Sequence, residues 1–292
     1  MNISKTNPNY SSITYDDIKV HKKLNDKQLD NEFKKLKKFN TDKNTRSFVG
    51  NKIIYHYFLE NMINTKRDVK NYKTLKEIFE DDFEKKKFID LTIKLNRRKK
   101  LDYIEPVDIY EAHRLCKGSI NTFKSSTVNF LINKFHGTKM LDFSAGWGGR
   151  LLGAWSAGCE YTGIDTNINL KEGYDQIIQK TDSKMIWKSC LDVDLSKIDF
   201  DFVLTSPPYI NLEIYENMTL FESKENYYKN FLITMINRCL KNIKNNGKVC
   251  INISNYMYDD YLKYGGKPCI EKIDLLQQLG GKPNKEIVYV FQ

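Results

Sequence analysis

The chain has 292 residues, 40% of them hydrophobic, with 47 Lys+Arg against 37 Asp+Glu and a formal net charge of +10. That apolar content supports a packed core, yet no apolar run approaches the roughly 20 residues that cross a bilayer, and no charged-apolar-small leader opens the chain, so an intracellular, cytoplasmic protein is expected. Cys116, Cys159, Cys190, Cys239, Cys250 and Cys269 show no C-x-x-C spacing and, with four histidines, make no zinc pattern, so they read as reduced core thiols and no metal is expected.

The charge is unevenly placed: residues 1–120 carry a net +9 and residues 121–292 a net +1. Lys34-Lys35, Lys37-Lys38, Lys85-Lys86-Lys87 and Arg97-Arg98-Lys99-Lys100 are the dense clusters. A basic face of this kind neutralises phosphates and releases counterions, which gives sequence-independent affinity for nucleic acid. The bland alternative is a solvated surface in a lysine-rich chain, and the near-neutral second part counts against it. The first twenty or so residues, rich in Asn, Ser and Thr, read as a flexible arm. Apolar residues at three- and four-residue spacings predict helices over 26–39, 48–64, 75–95 and 107–116. His56 and Tyr57 lie among apolar neighbours and read as core residues. The chain thus divides into a basic, mainly helical region, 1–117, and a second domain, 118–292.

Within 118–292 the pattern is α/β. Val128, Leu131, Ile132 and Phe135 share a helical face. Strands are predicted over 138–143, 160–165, 183–187, 199–205, 247–254 and 286–291, with a long helix over 225–243. Two motifs sit at strand ends. Residues 140–150 run from a strand into a glycine-rich turn, Asp142-Phe143-Ser144-Ala145-Gly146-Trp147-Gly148-Gly149-Arg150, where glycines admit a ligand close to the backbone and a helix N-terminus adds donors. It has neither the dinucleotide spacing nor the Gly-Lys-Ser/Thr of a phosphate loop. Asp142 suits a cationic or amino-bearing cofactor better than a pyrophosphate. Asp165 ends the next strand, at about the offset where an acid takes a ribose diol. Asp192, after the third strand, is the candidate neighbour of an adenine, with Ser189, Cys190 or Asp194 as alternatives.

The second motif is Thr205-Ser206-Pro207-Pro208-Tyr209. Proline cannot continue a central ladder, and each residue before a proline is pushed toward extended geometry. The result is a rigid elbow with a hydroxyl, two aimed carbonyls and an aromatic face, at the strand end where open α/β sheets bind ligands. Ser206 Oγ and the Pro207 carbonyl can accept the two N–H groups of an exocyclic amine and turn its lone pair out of the ring plane, with Tyr209 stacked on the ring.

With both motifs in this order, the sequence resembles the class I S-adenosylmethionine-dependent methyltransferases, and within them the amino-methyltransferases of DNA that make N6-methyladenine or N4-methylcytosine. Asp142-Phe143-Ser144-Ala145-Gly146-Trp147-Gly148 stands at the family's cofactor loop and Ser206-Pro207-Pro208-Tyr209 at its catalytic loop. The longer strings 141–152 and 205–215 resemble a short group of such enzymes in phages and large DNA viruses. The likeness covers roughly residues 118–255. It implies a Rossmann-like methyltransferase sheet, mostly parallel with an antiparallel edge strand at 286–291, and a helical N-terminal extension. It implies S-adenosyl-L-methionine as cofactor, held by Asp142, Phe143, Ser144, Ala145, Gly146, Gly148, Asp165 and Asp192. Catalysis would fall to Ser206, Pro207, Pro208 and Tyr209, and residues 122–125 would help hold the cofactor's methionine end. Direct methyl transfer to a flipped base is implied, and serine at the first motif position leans slightly toward cytosine. Only 83 residues follow Tyr209, so if the protein reads a DNA sequence, the helical N-terminal region is expected to do much of the reading. The rivals are an RNA base methyltransferase, a protein-glutamine methyltransferase, which Ser206 and the basic half disfavour, and a non-catalytic nucleic-acid-binding protein with this fold.

Overall fold

The computed structural model describes residues 12–45, 47–67, 72–96, 104–117, 120–210, 213–214, 221–244, 246–275 and 286–292. Among the described residues, six helices lie ahead of α7 (Ser125–Phe135): α1 (Tyr15–Val20), α2 (Asp26–Lys37), α3 (Asn51–Ile63), α4 (Leu75–Phe79), α5 (Asp82–Asn96) and α6 (Pro106–Lys117). Helix α1 forms where the composition read as an arm, because Thr14 and Asp17 make a reciprocal capping box and Ile18 is fully buried; residues 1–11 lie outside the described residues. The helix expected over 75–95 is broken in two. The Asp81 carboxylate accepts the N–H groups of Phe83 and Glu84 and so starts α5 afresh. A two-residue strand, β1 (Lys66–Arg67), lies between α3 and α4.

The α/β part follows as α7 (Ser125–Phe135), β2 (Lys139–Asp142), α8 (Gly149–Ser156), β3 (Glu160–Asp165), α9 (Lys171–Thr181), β4 (Lys184–Trp187), β5 (Phe202–Thr205) and β6 (Glu213–Ile214). The helix expected over 225–243 is α10 (Lys224–Asn226), a π turn over Tyr227–Ile233 and α11 (Thr234–Asn242). Then come β7 (Lys248–Ser254), α12 (Asn255–Lys263), β8 (Glu271–Asp274) and β9 (Glu286–Phe291). Seven strands form one sheet in the order β4-β3-β2-β5-β7-β9-β8. Strands β4, β3, β2, β5 and β7 pair in parallel, and β9 is antiparallel to both its neighbours. This is the expected Rossmann-like α/β sheet. One detail differs: β9 runs antiparallel as expected but lies one strand in, and the edge itself is β8, a strand with a single buried apolar residue, Ile273.

Alternation along the strands divides the core by sheet face. Met140, Phe202, Leu204 and Cys250 face one cluster, where α2, α3, α7, α8 and α9 supply Phe33, Ile53, Phe58, Val128, Leu151 and Tyr174. Leu141, Val203, Val249 and Ile251 face the other, with Phe143, Tyr227, Phe231 and Met235. A third cluster joins Ile18, Leu75, Ile78, Phe88 and Ile109 to Leu59 and Ile63 of α3. Helix α3 therefore belongs to two cores. Phe58, fully buried in the first, makes a contribution of about 1.5–3 kcal/mol on burial.

Candidate functional site

Every strand end singled out from the sequence lies on the carboxyl edge of the sheet. Asp142 is fully buried there, and its carboxylate is the hub of the local network. Oδ2 accepts Arg150 Nε at 2.7 Å and the Tyr161 hydroxyl at 2.9 Å. Oδ1 accepts Thr205 Oγ1 at 2.8 Å and the Ser144 N–H at 3.3 Å. The Arg150 guanidinium also donates to the Ser144 carbonyl and lies over the Phe123 ring, 5.4 Å from its centroid. A buried carboxylate with four donors and a cationic partner is fully compensated. Asp142 thus shapes the loop from beneath, and its oxygens face protein donors. Tyr161, with burial as the main cause, holds its hydroxyl proton far above the usual range.

The loop above Asp142 is drawn onto β3. The Ala145 N–H donates to the Ile164 carbonyl at 3.0 Å, and the Gly146 N–H donates to Asp165 Oδ2 at 2.7 Å. Gly148 caps α8 at φ +75°, the left-handed region that favours glycine. Gly149 must be glycine for space: a Cβ there would stand 2.1 Å from the Phe123 carbonyl oxygen. Residues 122–125 therefore pack directly on the loop, and Ser125 Oγ donates to the Gly149 carbonyl at 3.0 Å. Phe143 and Ala145 are buried beneath the turn. Tyr174 donates its hydroxyl to the Gly146 carbonyl at 2.9 Å and sets its ring edge-on to Trp187.

Asp165 is half-buried. Burial pushes its carboxyl above the ordinary carboxylate value, against the N–H groups of Asn167 and Gly146 that stabilise the anion. Each oxygen accepts one backbone N–H, which leaves acceptor capacity for a pair of hydroxyls. Beside it, Asn167 is 8% exposed, and its Oδ1 has no hydrogen-bond partner among the described residues. An orphaned buried acceptor next to a half-buried carboxylate is a donor-seeking site. Asn167 was not foreseen, because asparagine after a strand reads as an ordinary turn residue. Asp192 is exposed in a short 3-10 turn, Cys190–Asp192. Of its alternatives, Ser189 accepts the Leu191 N–H, Asp194 is taken up by Ser196, and Cys190 is buried with its thiol pushed up to about 12. This loop is fastened by Arg238, which donates to the carbonyls of Cys190 and Leu191 at 3.0 Å each and to that of Val193.

The elbow leaves β5 as expected. Thr205 is the last strand residue, Pro207 is buried, and Ser206, Pro208 and Tyr209 are half-buried. Neither Ser206 Oγ nor the Pro207 carbonyl has a hydrogen-bond partner among the described residues. The Pro208 carbonyl differs, since it accepts the Tyr227 hydroxyl at 2.8 Å. Tyr209 packs against the second core cluster. Residues 211, 212 and 215 of the longer motif lie outside the described residues. Strand β6, just beyond, pairs antiparallel with β1, Lys66 opposite Ile214 and Arg67 opposite Glu213. The N-terminal region therefore grips the chain where it leaves the elbow.

The same region also lines the glycine loop. Phe58 stands 6.5 Å from Trp147 and 5.4 Å from Tyr174, ring to ring. His56 accepts the Leu24 N–H on Nδ1 at 2.9 Å, a packed histidine as expected. The lysine cluster 34–38 is exposed, but it lies toward the opposite edge of the sheet. Lys37 donates to the Trp155 carbonyl at 3.1 Å, in the last turn of α8, and Lys180, in the last turn of α9, meets Asp30 at 2.8 Å. Both turns run directly into strand beginnings. Arg97-Arg98-Lys99-Lys100 lies outside the described residues.

No family model matches the chain, and no curated protein matches it. Among solved structures it is similar to a SAM-dependent methyltransferase from Agrobacterium tumefaciens, at 14% identity over 59% of this chain and 63% of that one, with a TM-score of 0.44. It is similar to an S-adenosylmethionine-dependent methyltransferase from Clostridium acetobutylicum ATCC 824, at 10% identity over 62% and 95%, TM-score 0.41. An rRNA methylase from Streptococcus thermophilus is similar at 12% identity over 60% and 100%, TM-score 0.39. At such identities and TM-scores the likeness carries no argument of its own, and the fold and site stand on their own geometry.

Proposed function

We propose that this protein is an S-adenosylmethionine-dependent methyltransferase that modifies the exocyclic amino group of a base in DNA, N4 of cytosine or N6 of adenine. One observation carries the reading: the Ser206 Oγ and Pro207 carbonyl acceptors, free of partners among the described residues, stand on an elbow that Thr205 ties to Asp142 beneath the glycine loop. The donor set fits the cofactor. Asp165 and the orphaned Asn167 Oδ1 suit a ribose diol, the 190–193 turn and Trp187 suit the adenine, and Gly146, Gly148 and residues 122–125 give close approach for the methionine end.

When bound, S-adenosylmethionine supplies an electrophilic methyl group. The protein's own part is positioning. Ser206 Oγ and the Pro207 carbonyl accept the two amino N–H groups and favour a pyramidal nitrogen, which withdraws its lone pair from conjugation with the ring and makes it nucleophilic. Tyr209 stacks on the extruded base, whose unstacking costs a few kcal/mol. Serine is too weak a base to take the proton beforehand, so the proton leaves after transfer. Lysines of residues 1–117 supply phosphate contact.

The test is methyl transfer from isotope-labelled S-adenosylmethionine to unmethylated duplex DNA and to total RNA, followed by nucleoside mass spectrometry. Labelled N4-methylcytosine or N6-methyladenine in DNA is expected. Label confined to RNA would move the substrate to RNA, and no label in either would refute the reading.

A further inference from the structure

The elbow has few anchors of its own, since Pro207 and Pro208 donate no N–H. One anchor comes from outside the motif: the Tyr227 hydroxyl, 2.8 Å from the Pro208 carbonyl. Tyr227 is fully buried. Its ring is fixed edge-on by Phe221 at 5.1 Å and packed by Phe231 at 5.3 Å.

Tyr227 opens the π turn, Tyr227–Ile233. Such i→i+5 turns are rare and favour functional sites. Here Thr234 Oγ1 donates to the Lys229 carbonyl, five residues back, at 2.7 Å, and so ties the end of the turn to its own backbone. The next residue shows what this register costs. Tyr228 is as buried as Tyr227, stacks on Tyr264 at 5.3 Å, and its hydroxyl has no hydrogen-bond partner among the described residues. An unpartnered buried hydroxyl is unfavourable. Of two adjacent buried tyrosines, the one whose hydroxyl is satisfied is the one that reaches the elbow.

We infer that Tyr227 is a positioning residue for the elbow, presented by the π turn so that its hydroxyl fixes the Pro208–Tyr209 peptide and with it the direction in which Tyr209 leaves the sheet. Its consequence for methyl transfer rests on the function proposed above; its mechanical part does not. The hydrogen bond restrains the peptide plane whose nitrogen belongs to Tyr209, and leaves the Pro207 carbonyl and Ser206 Oγ free to face an amine.

The experiment is hydrogen-exchange mass spectrometry of the full chain as Tyr227→Phe, which keeps the ring and removes the bond, with Tyr228→Phe as control. Loss of about 1 kcal/mol corresponds to roughly fivefold faster exchange at the Tyr209 and Ile210 amides. That is expected in Tyr227→Phe, with peptides of β3 and residues 190–193 unchanged and Tyr228→Phe like the wild type. On an unmethylated DNA substrate, Tyr227→Phe should lower kcat up to about fivefold with the cofactor KM unchanged. Unchanged elbow exchange in Tyr227→Phe, or equal loosening in Tyr228→Phe, would overturn the inference. A loosened elbow in a protein that methylates neither DNA nor RNA would uphold it while the proposed substrate fell.

Discussion

Thr205 Oγ1 and Asp142 Oδ1, 63 residues apart in sequence, stand 2.8 Å apart at the ends of the adjacent parallel strands β5 and β2. This bond joins the elbow to the glycine loop through one buried carboxylate, which Arg150 neutralises from the other side. Neither motif is placed independently of the other.

Thr205→Val should therefore cost about 1.5–3 kcal/mol of stability, the net worth of a hydrogen bond to a charged group. Arg150→Met should cost more, about 3–5 kcal/mol, because it leaves Asp142 buried and unpaired. Chemical denaturation of both variants checks the order. Equal stabilities would mean that Asp142 is solvated and that the network is not closed.

If Asp165 holds the cofactor ribose as proposed, its raised carboxyl links cofactor affinity to pH. Burial raises its carboxyl above the ordinary value, so the folded protein takes up a proton at higher pH than the unfolded chain. The stability cost of ionising it is absent below the ordinary carboxylate value and complete above the raised one. Cofactor affinity, which uses the ionised form, should fall on acidification earlier than an exposed carboxylate predicts. Calorimetry across pH should show this drop in the wild type and a weak, flat affinity in Asp165→Asn. A variant with wild-type affinity would remove Asp165 from the cofactor site.

Ser206→Ala and Tyr209→Ala should separate transfer from cofactor binding. On the proposed function each removes a contact to the base, so turnover should fall by tenfold or more, which corresponds to at least about 1.4 kcal/mol of lost positioning. Cofactor affinity by calorimetry should stay within about twofold, a difference well under 1 kcal/mol. Normal turnover in Tyr209→Ala would rule out the stacking role.

The lysines at the end of α2 and its C-cap give a different contrast. Lys34 and Lys38 are exposed near the edge of the sheet away from the elbow. The double change Lys34→Glu/Lys38→Glu should weaken binding to a fluorescent oligonucleotide and flatten its log-salt slope by about 2. Turnover at saturating substrate should be unchanged. An unaltered salt slope would show that this face does not meet phosphate.

The strands and the two motifs were legible because each rests on local chemistry: an apolar run stopped by Asp142, Asp165 or Ser206-Pro207. Helix α5 was misjudged because Asp81 caps a new helix within a continuous apolar rhythm. Strand β8 was missed because Glu271-Lys272-Ile273-Asp274 offers one apolar residue, and its ladder partner, β9, comes later in the chain. The π turn leaves no mark, since the spacing of Tyr227, Tyr228, Phe231 and Met235 suits an ordinary helix equally well. The partners of Asp142 escaped notice for another reason. Arg150, Tyr161 and Thr205 meet it only once three strands are aligned, and no window of sequence contains that geometry.

One consequence concerns how this chain is divided. Strand β1 zips to β6, and Phe58 fills the hollow between Gly148 and Gly173, where a Cβ on Gly173 would stand 2.5 Å from its ring. The basic helices are thus a wall of the glycine loop and a buckle on the elbow's exit. Grafting them onto another sheet would carry away one wall of the glycine loop and unfasten the elbow's exit.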